Sequence, residues 1–154
     1  MHRVRAAYDG KEKISKKEKR PAMREFTVKT NQHAEFVDIT DRLHKVVGES
    51  GVKEGICVVV IPHTTAGITV NENADPDVVT DMIFALEQAV PWKSPNYRHG
   101  EGNSAAHVKS SLMGHDATLL VDGGKIQLGT WQGVFLCEFD GPRTRKVWVT
   151  VKPL

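Results

Sequence analysis

The 154-residue chain is 40% hydrophobic, which fits one compact soluble domain able to bury roughly two thirds of its unfolded surface without disulfide or metal support. No apolar run approaches the roughly 20 residues of a membrane span, and the basic N-terminus has no apolar segment behind it, so neither a spanning helix nor a secretory signal is expected and the cytoplasm is the expected setting. The net charge of +2 hides eight Lys/Arg against three Asp/Glu in residues 1–23, and 13 against 16 thereafter; a nucleic-acid reader would carry its excess on the folded body, so nucleic acid is not the expected partner.

Residues 1–22 read as a basic, solvated arm, or as an artefact of the start site if translation begins at Met23. REFTVKT then alternates as a half-buried strand. Thr40 is placed to cap a helix over DRLHKVVGES, which Gly51 ends. GICVVVIP is a β-branched run suited to a central strand, and GITVNEN continues extended after a break at His63-Thr64-Thr65. Asp75-Pro76 opens a second helix, with Val78, Val79, Met82, Ile83, Leu86 and Val90 on one stripe. PWKSPNYRHGEGN is a loop, and a third helix spans Ser104 to Met113. ATLLV, KIQLG, GVFLCEF and RKVWVTV are strands, with hairpin signals at Asp122-Gly123-Gly124 and Asp140-Gly141-Pro142. Cys57 and Cys137 lie in apolar runs and read as reduced, packed thiols. The expected class is α+β: a single domain (23–154), largely antiparallel β in two layers, with two to three helices.

Three segments carry candidate chemistry. His63 follows Pro62 at a strand end, and Asn71-Glu72-Asn73 stacks polar groups where a strand should still be apolar. His99-Gly100-Glu101-Gly102-Asn103 leads to His107, Lys109 and Ser110; the helix start offers free N–H groups to an anion, capped by Asn103 or Ser104, with Lys109 as a further cation. Gly129-Thr130-Trp131-Gln132-Gly133 brackets a tryptophan that stacks on a ligand or, the better single-residue reading, packs in the core. Glu138 shares a face with Val134 and Leu136; turned inward it needs a cation or metal partner, turned outward it is an ordinary surface acid. Arg143 and Arg145 hold a phosphate or merely flank a turn. His115 reads as a surface residue.

HTTAGITVNENADPDVVTDM, NYRHGEG, SAAHVKSSLMG and GKIQLGTWQGVFLCEFDGPR together resemble the YjbQ-type family of secondary thiamine-phosphate synthases, from about Met23 to the C-terminus. The resemblance implies a compact α+β trimer that joins an aminopyrimidine-methyl diphosphate to a thiazole phosphate with loss of diphosphate. Its matching positions are His63, Asn71, Glu72, Asp75, Asp81, His99, His107, Lys109, Trp131, Gln132 and Glu138. Taken with the segments above, Glu72, Asp81 and Glu138 are the expected catalytic carboxylates. Asn71, Lys109, Ser110, Trp131, Gln132 and Arg143 would bind substrate or its anion, and His63, His99 and His107 a metal. Zinc or a similar ion suits the histidines, and magnesium suits the carboxylates during turnover. A metal-dependent hydrolase or lyase, and a non-catalytic trimeric anion-binding protein, are the rival readings.

Overall fold

The computed structural model describes residues 23–154, so the expected arm over 1–22 lies outside the described residues. In chain order come β1 (Arg24–Lys29), β2 (Glu35–Asp38), α1 (Thr40–Ser50), β3 (Gly55–Val60), β4 (Ala66–Glu72) and α2 (Pro76–Ala89). Then follow α3 (Ser104–Met113), β5 (Asp116–Asp122), β6 (Lys125–Ile126), β7 (Gln132–Glu138) and β8 (Thr144–Pro153). The strands form a five-stranded sheet, β1-β8-β3-β5-β6, and a three-stranded sheet, β2-β7-β4, and every pair is antiparallel. This is the expected α+β class, with three helices.

Alternation decides what lies between the layers. Val28, Cys57, Val59, Val147 and Val149 from the larger sheet meet Ile68, Val134 and Leu136 from the smaller one, and Leu43 and Val47 of α1 close the side. The other face of β7 gives Phe135 and Cys137, which with Phe36 and Phe139 pack against Ala106 of α3 and the Val79, Met82, Ile83 and Leu86 stripe of α2. β7 is therefore apolar on both faces because it is buried on both. Both cysteines are buried free thiols; burial pushes Cys57 up to about 11 and raises Cys137 as well.

Several local expectations change. β2 is a four-residue strand between a turn and α1, too short to show a period. Thr40 lies inside α1 rather than capping it: its Oγ1 accepts from the Val134 N–H at 2.8 Å, tying the helix start to β7, while Asp38 accepts from the Thr40 N–H. Asp75 does cap α2, accepting from the Asp77 N–H at 2.9 Å, with Pro76 in the first turn. Asp122-Gly123-Gly124 makes the β5–β6 hairpin, but Asp140-Gly141-Pro142 carries the chain from one sheet to the other, between β7 and β8. None of the described helices is long and apolar enough to cross a membrane.

Candidate functional site

The β7–β8 crossover puts two opposite charges at one end of the core between the sheets. Glu138 continues the inward stripe of Val134 and Leu136, and Arg145 begins the inward stripe of Val147 and Val149. Glu138 has no exposed surface and Arg145 is 5% exposed. The guanidinium grips the carboxylate through Nε to Oε2 at 2.8 Å and Nη2 to Oε1 at 2.5 Å. Thr30 Oγ1 and the N–H groups of Phe139 and Asp140 complete the set of donors to Glu138. Burial alone would raise the Glu138 carboxyl, but the Arg145 and Asp140 hydrogen bonds, the Arg145 charge and Thr30 together hold it below the ordinary value.

Above this pair opens a cleft of about 540 Å³ lined by His63, Thr65, Asn103, His107, Asp140, Arg143 and Arg145, with His115 and Glu101 at it too. A second arm of about 460 Å³ shares His63 and His107 and extends along α3 past Ser110 and Ser111. His63 is anchored through Nε2, which accepts from the Lys146 N–H at 2.7 Å. Partial burial and then the Arg145 charge lower its pKa, against the pull of Glu138, which favours the neutral ring. Asn103 stands at the start of α3 but does not cap it: its Nδ2 donates to Asp140 Oδ2 at 3.1 Å, and its buried Oδ1 has no partner among the described residues. Asp140 also accepts from Arg143 Nη2 at 2.8 Å; burial raises it, and the Asn103 and Arg143 hydrogen bonds and nearby arginine charges bring it below its ordinary value.

Of the residues expected in the site, His63, His107 and Arg143 share the cleft, and His99 reaches it by an edge-to-face contact with His107, ring centres 5.2 Å apart. His115, read as a surface residue, is 72% exposed in its side chain yet lines both arms. Glu138 lies beneath the cleft with its oxygens fully engaged. The Ser110 hydroxyl donates to the Ala66 carbonyl. Lys109, expected to offer a free cation to an anion, is 1% exposed and paired with Glu87 of α2 at 2.5 Å, because α3 turns that face onto its neighbour.

Asn71, Glu72, Asp81, Trp131 and Gln132 lie elsewhere. In the β4–β7 ladder Ala66 faces Glu138 at the cleft end, and Glu72 faces Gln132 at the other. Six residue steps separate those ends, about 20 Å. There Asn71 holds the Glu72 N–H and Met82, Gln132 closes a turn onto the Gly129 N–H, and Asp81 is exposed. Trp131 is 64% exposed rather than packed in the core. Among the described residues no three His, Cys, Asp or Glu side chains are grouped to hold a metal ion.

Thr65 and Asp140 line the cleft without having been given a role in the sequence, where Asn103 was a helix-cap candidate and Arg145 either held a phosphate or flanked a turn. A usable signal existed for Arg145: it begins an alternating apolar stripe, as Glu138 ends one.

Residues 24–153 match the family model described as UPF0047 protein YjbQ-like. The chain belongs to this family. A UPF0047 protein of Methanocaldococcus jannaschii is 52% identical over 126 residues, 82% of this chain and 91% of the relative. The YugU protein of Bacillus subtilis is 46% identical over 127 residues, 82% of this chain and 96% of the relative. A YjbQ/UPF0047-family crystal structure from Clostridium acetobutylicum is similar to the YjbQ-like fold here with a TM-score of 0.81 and 52% identity, covering 83% of this chain and 98% of that one.

Proposed function

We propose that this YjbQ-like protein binds a small phosphorylated substrate in the His63–His107 cleft and acts as a thiamine-phosphate synthase of the secondary kind. An aminopyrimidine-methyl diphosphate would be joined to a thiazole phosphate with release of diphosphate. The observation that carries the reading is the convergence of His63, His107, Arg143 and Arg145 on one cleft of a size suited to a small ligand. Departure of diphosphate leaves a stabilised pyrimidinylmethyl cation for the thiazole nitrogen, so the main demand on the protein is to stabilise the leaving charge. Arg143, Arg145 and the imidazoles meet it with hydrogen-bond donors. Magnesium belongs to this reading as the counter-ion of the diphosphate, and Asp140 and Glu101, which line the cleft, are the carboxylates that would hold it.

The reading includes a cytoplasmic homotrimer in which the Glu72–Asp81 end of one subunit approaches the histidine cleft of the next. The half-buried stripe of α2, with Phe84 and Trp131 each 64% exposed, supports such an assembly. A non-catalytic anion-binding role is the second reading, favoured by the saturation of Glu138, which leaves that carboxylate unable to act as a base.

Supplying both thiamine precursors with magnesium or zinc and measuring thiamine phosphate separates the two readings. Turnover that falls at least about 100-fold in His107→Ala is the expected result. No turnover with any divalent metal, together with undiminished phosphate binding in His107→Ala, overturns the enzymatic reading.

A further inference from the structure

β3 ends at Val60, opposite Trp148, while β8 runs on to Thr144. Continued by two residues, the ladder would set Pro62 against Lys146, and β3 no longer supplies an acceptor there. His63 fills the gap, its Nε2 accepting from the Lys146 N–H at 2.7 Å. A ring nitrogen that accepts carries no proton, so the neutral imidazole has its proton on Nδ1. The Nδ1–H has no partner among the described residues, and His63 lines both arms of the cleft. In this state the ring has a donor to offer and no free lone pair. Ligating a metal needs the lone pair, whereas an oxyanion needs the donor.

A second donor stands in the same cleft. Arg145 spends Nε and Nη2 on Glu138 and Thr65, and its Nη1 makes no hydrogen bond among the described residues. Arg145 lines the cleft and is held in place by the buried carboxylate below it, so its remaining nitrogen has little freedom left to lose on binding.

We propose that His63 Nδ1–H and Arg145 Nη1 form an oxyanion subsite for a phosphate or diphosphate oxygen, and that His63 acts there as a hydrogen-bond donor rather than a metal ligand. The inference rests on the cleft's taking a phosphorylated compound and not on the thiamine reaction. Charge-assisted bonds from two preset donors favour a negatively charged oxygen over a neutral one.

The full chain, labelled with ¹⁵N, tests this by long-range ¹H–¹⁵N correlation of the histidine rings at about neutral pH, with inorganic diphosphate and zinc chloride as separate probes. The expected result is a protonated Nδ1 and a bare Nε2 on His63, an Nδ1–H signal that moves with diphosphate, and no loss of that proton on adding zinc. His63→Phe weakens diphosphate binding roughly tenfold. His63→Gln, which can accept from Lys146 and still donate, stays within about threefold of the unaltered protein. A protonated Nε2, displacement of the Nδ1 proton by zinc, or no response to diphosphate overturns the proposal. The amide spectrum shows whether His63→Phe folds; if it does not, His63→Gln and the unaltered chain decide. If the tautomer and the diphosphate response hold while no thiamine phosphate forms, the reaction is wrong and the subsite stands.

Discussion

Glu138 sits beside Val134 and Leu136 on the inward face of β7, and Arg145 sits beside Val147 and Val149 on that of β8, so each charge depends on the other. Removing one member of a buried pair leaves the other uncompensated, at a cost of about 3–5 kcal/mol. Glu138→Ala should lose that much stability in denaturant unfolding, and Glu138→Leu with Arg145→Met should recover most of it. Acid should act on the same pair. The folded carboxyl lies below its ordinary value of 4.5, so its contribution is complete above that value and is lost as pH falls through the lower folded one. Melting temperatures followed downward from pH 4.5 should drop more steeply for the unaltered protein than for Glu138→Gln. Each charge was legible in the sequence as an exception to its strand's alternation. Their pairing was not, because periodicity assigns a residue to a face and says nothing about which residue waits across the core.

The elements meet at two close contacts near the cleft. A methyl group on Gly67 of β4 would come within 2.7 Å of the Gly114 carbonyl and 2.9 Å of Met113 Cβ, so the glycine lets the end of α3 lie directly on the strand. Gly67→Ala should cost about 1–3 kcal/mol by chemical denaturation, and it should disturb the Ser110 bond to Ala66 that shares the contact. α3 is tied to α2 by Lys109 and Glu87, of which only Glu87 keeps appreciable contact with water. Glu87→Ala strands a buried ammonium and should cost about 3 kcal/mol; Lys109→Met strands a half-exposed carboxylate and should cost about 1. Equal losses in unfolding experiments would contradict this asymmetry. The bounds of α2 and α3 were readable because Asp75-Pro76 and Gly114 punctuate them. β2 offered only Glu-Phe-Val-Asp, and the inter-sheet path at Asp140-Gly141-Pro142 has the residues of an ordinary hairpin.

For the molecule as a whole, the strings that mark the family were enough for the α+β class, yet they concealed the distance between their parts. His63 and Glu72 are nine positions apart, and the intervening strand is straight enough to carry them to opposite ends of the β4–β7 ladder. Sedimentation of the purified protein should show a species of about three chain masses if the homotrimer is correct, and a single-chain mass would rule it out. The separation along that ladder also makes the two ends distinguishable by energetics. Within one chain, substitutions at His63 and Glu72 share no partner, so their effects on folding stability should add to within about 0.5 kcal/mol. If the proposed trimer brings both ends onto one substrate, their effects on turnover should not add, because removing either grip loses the same transition state.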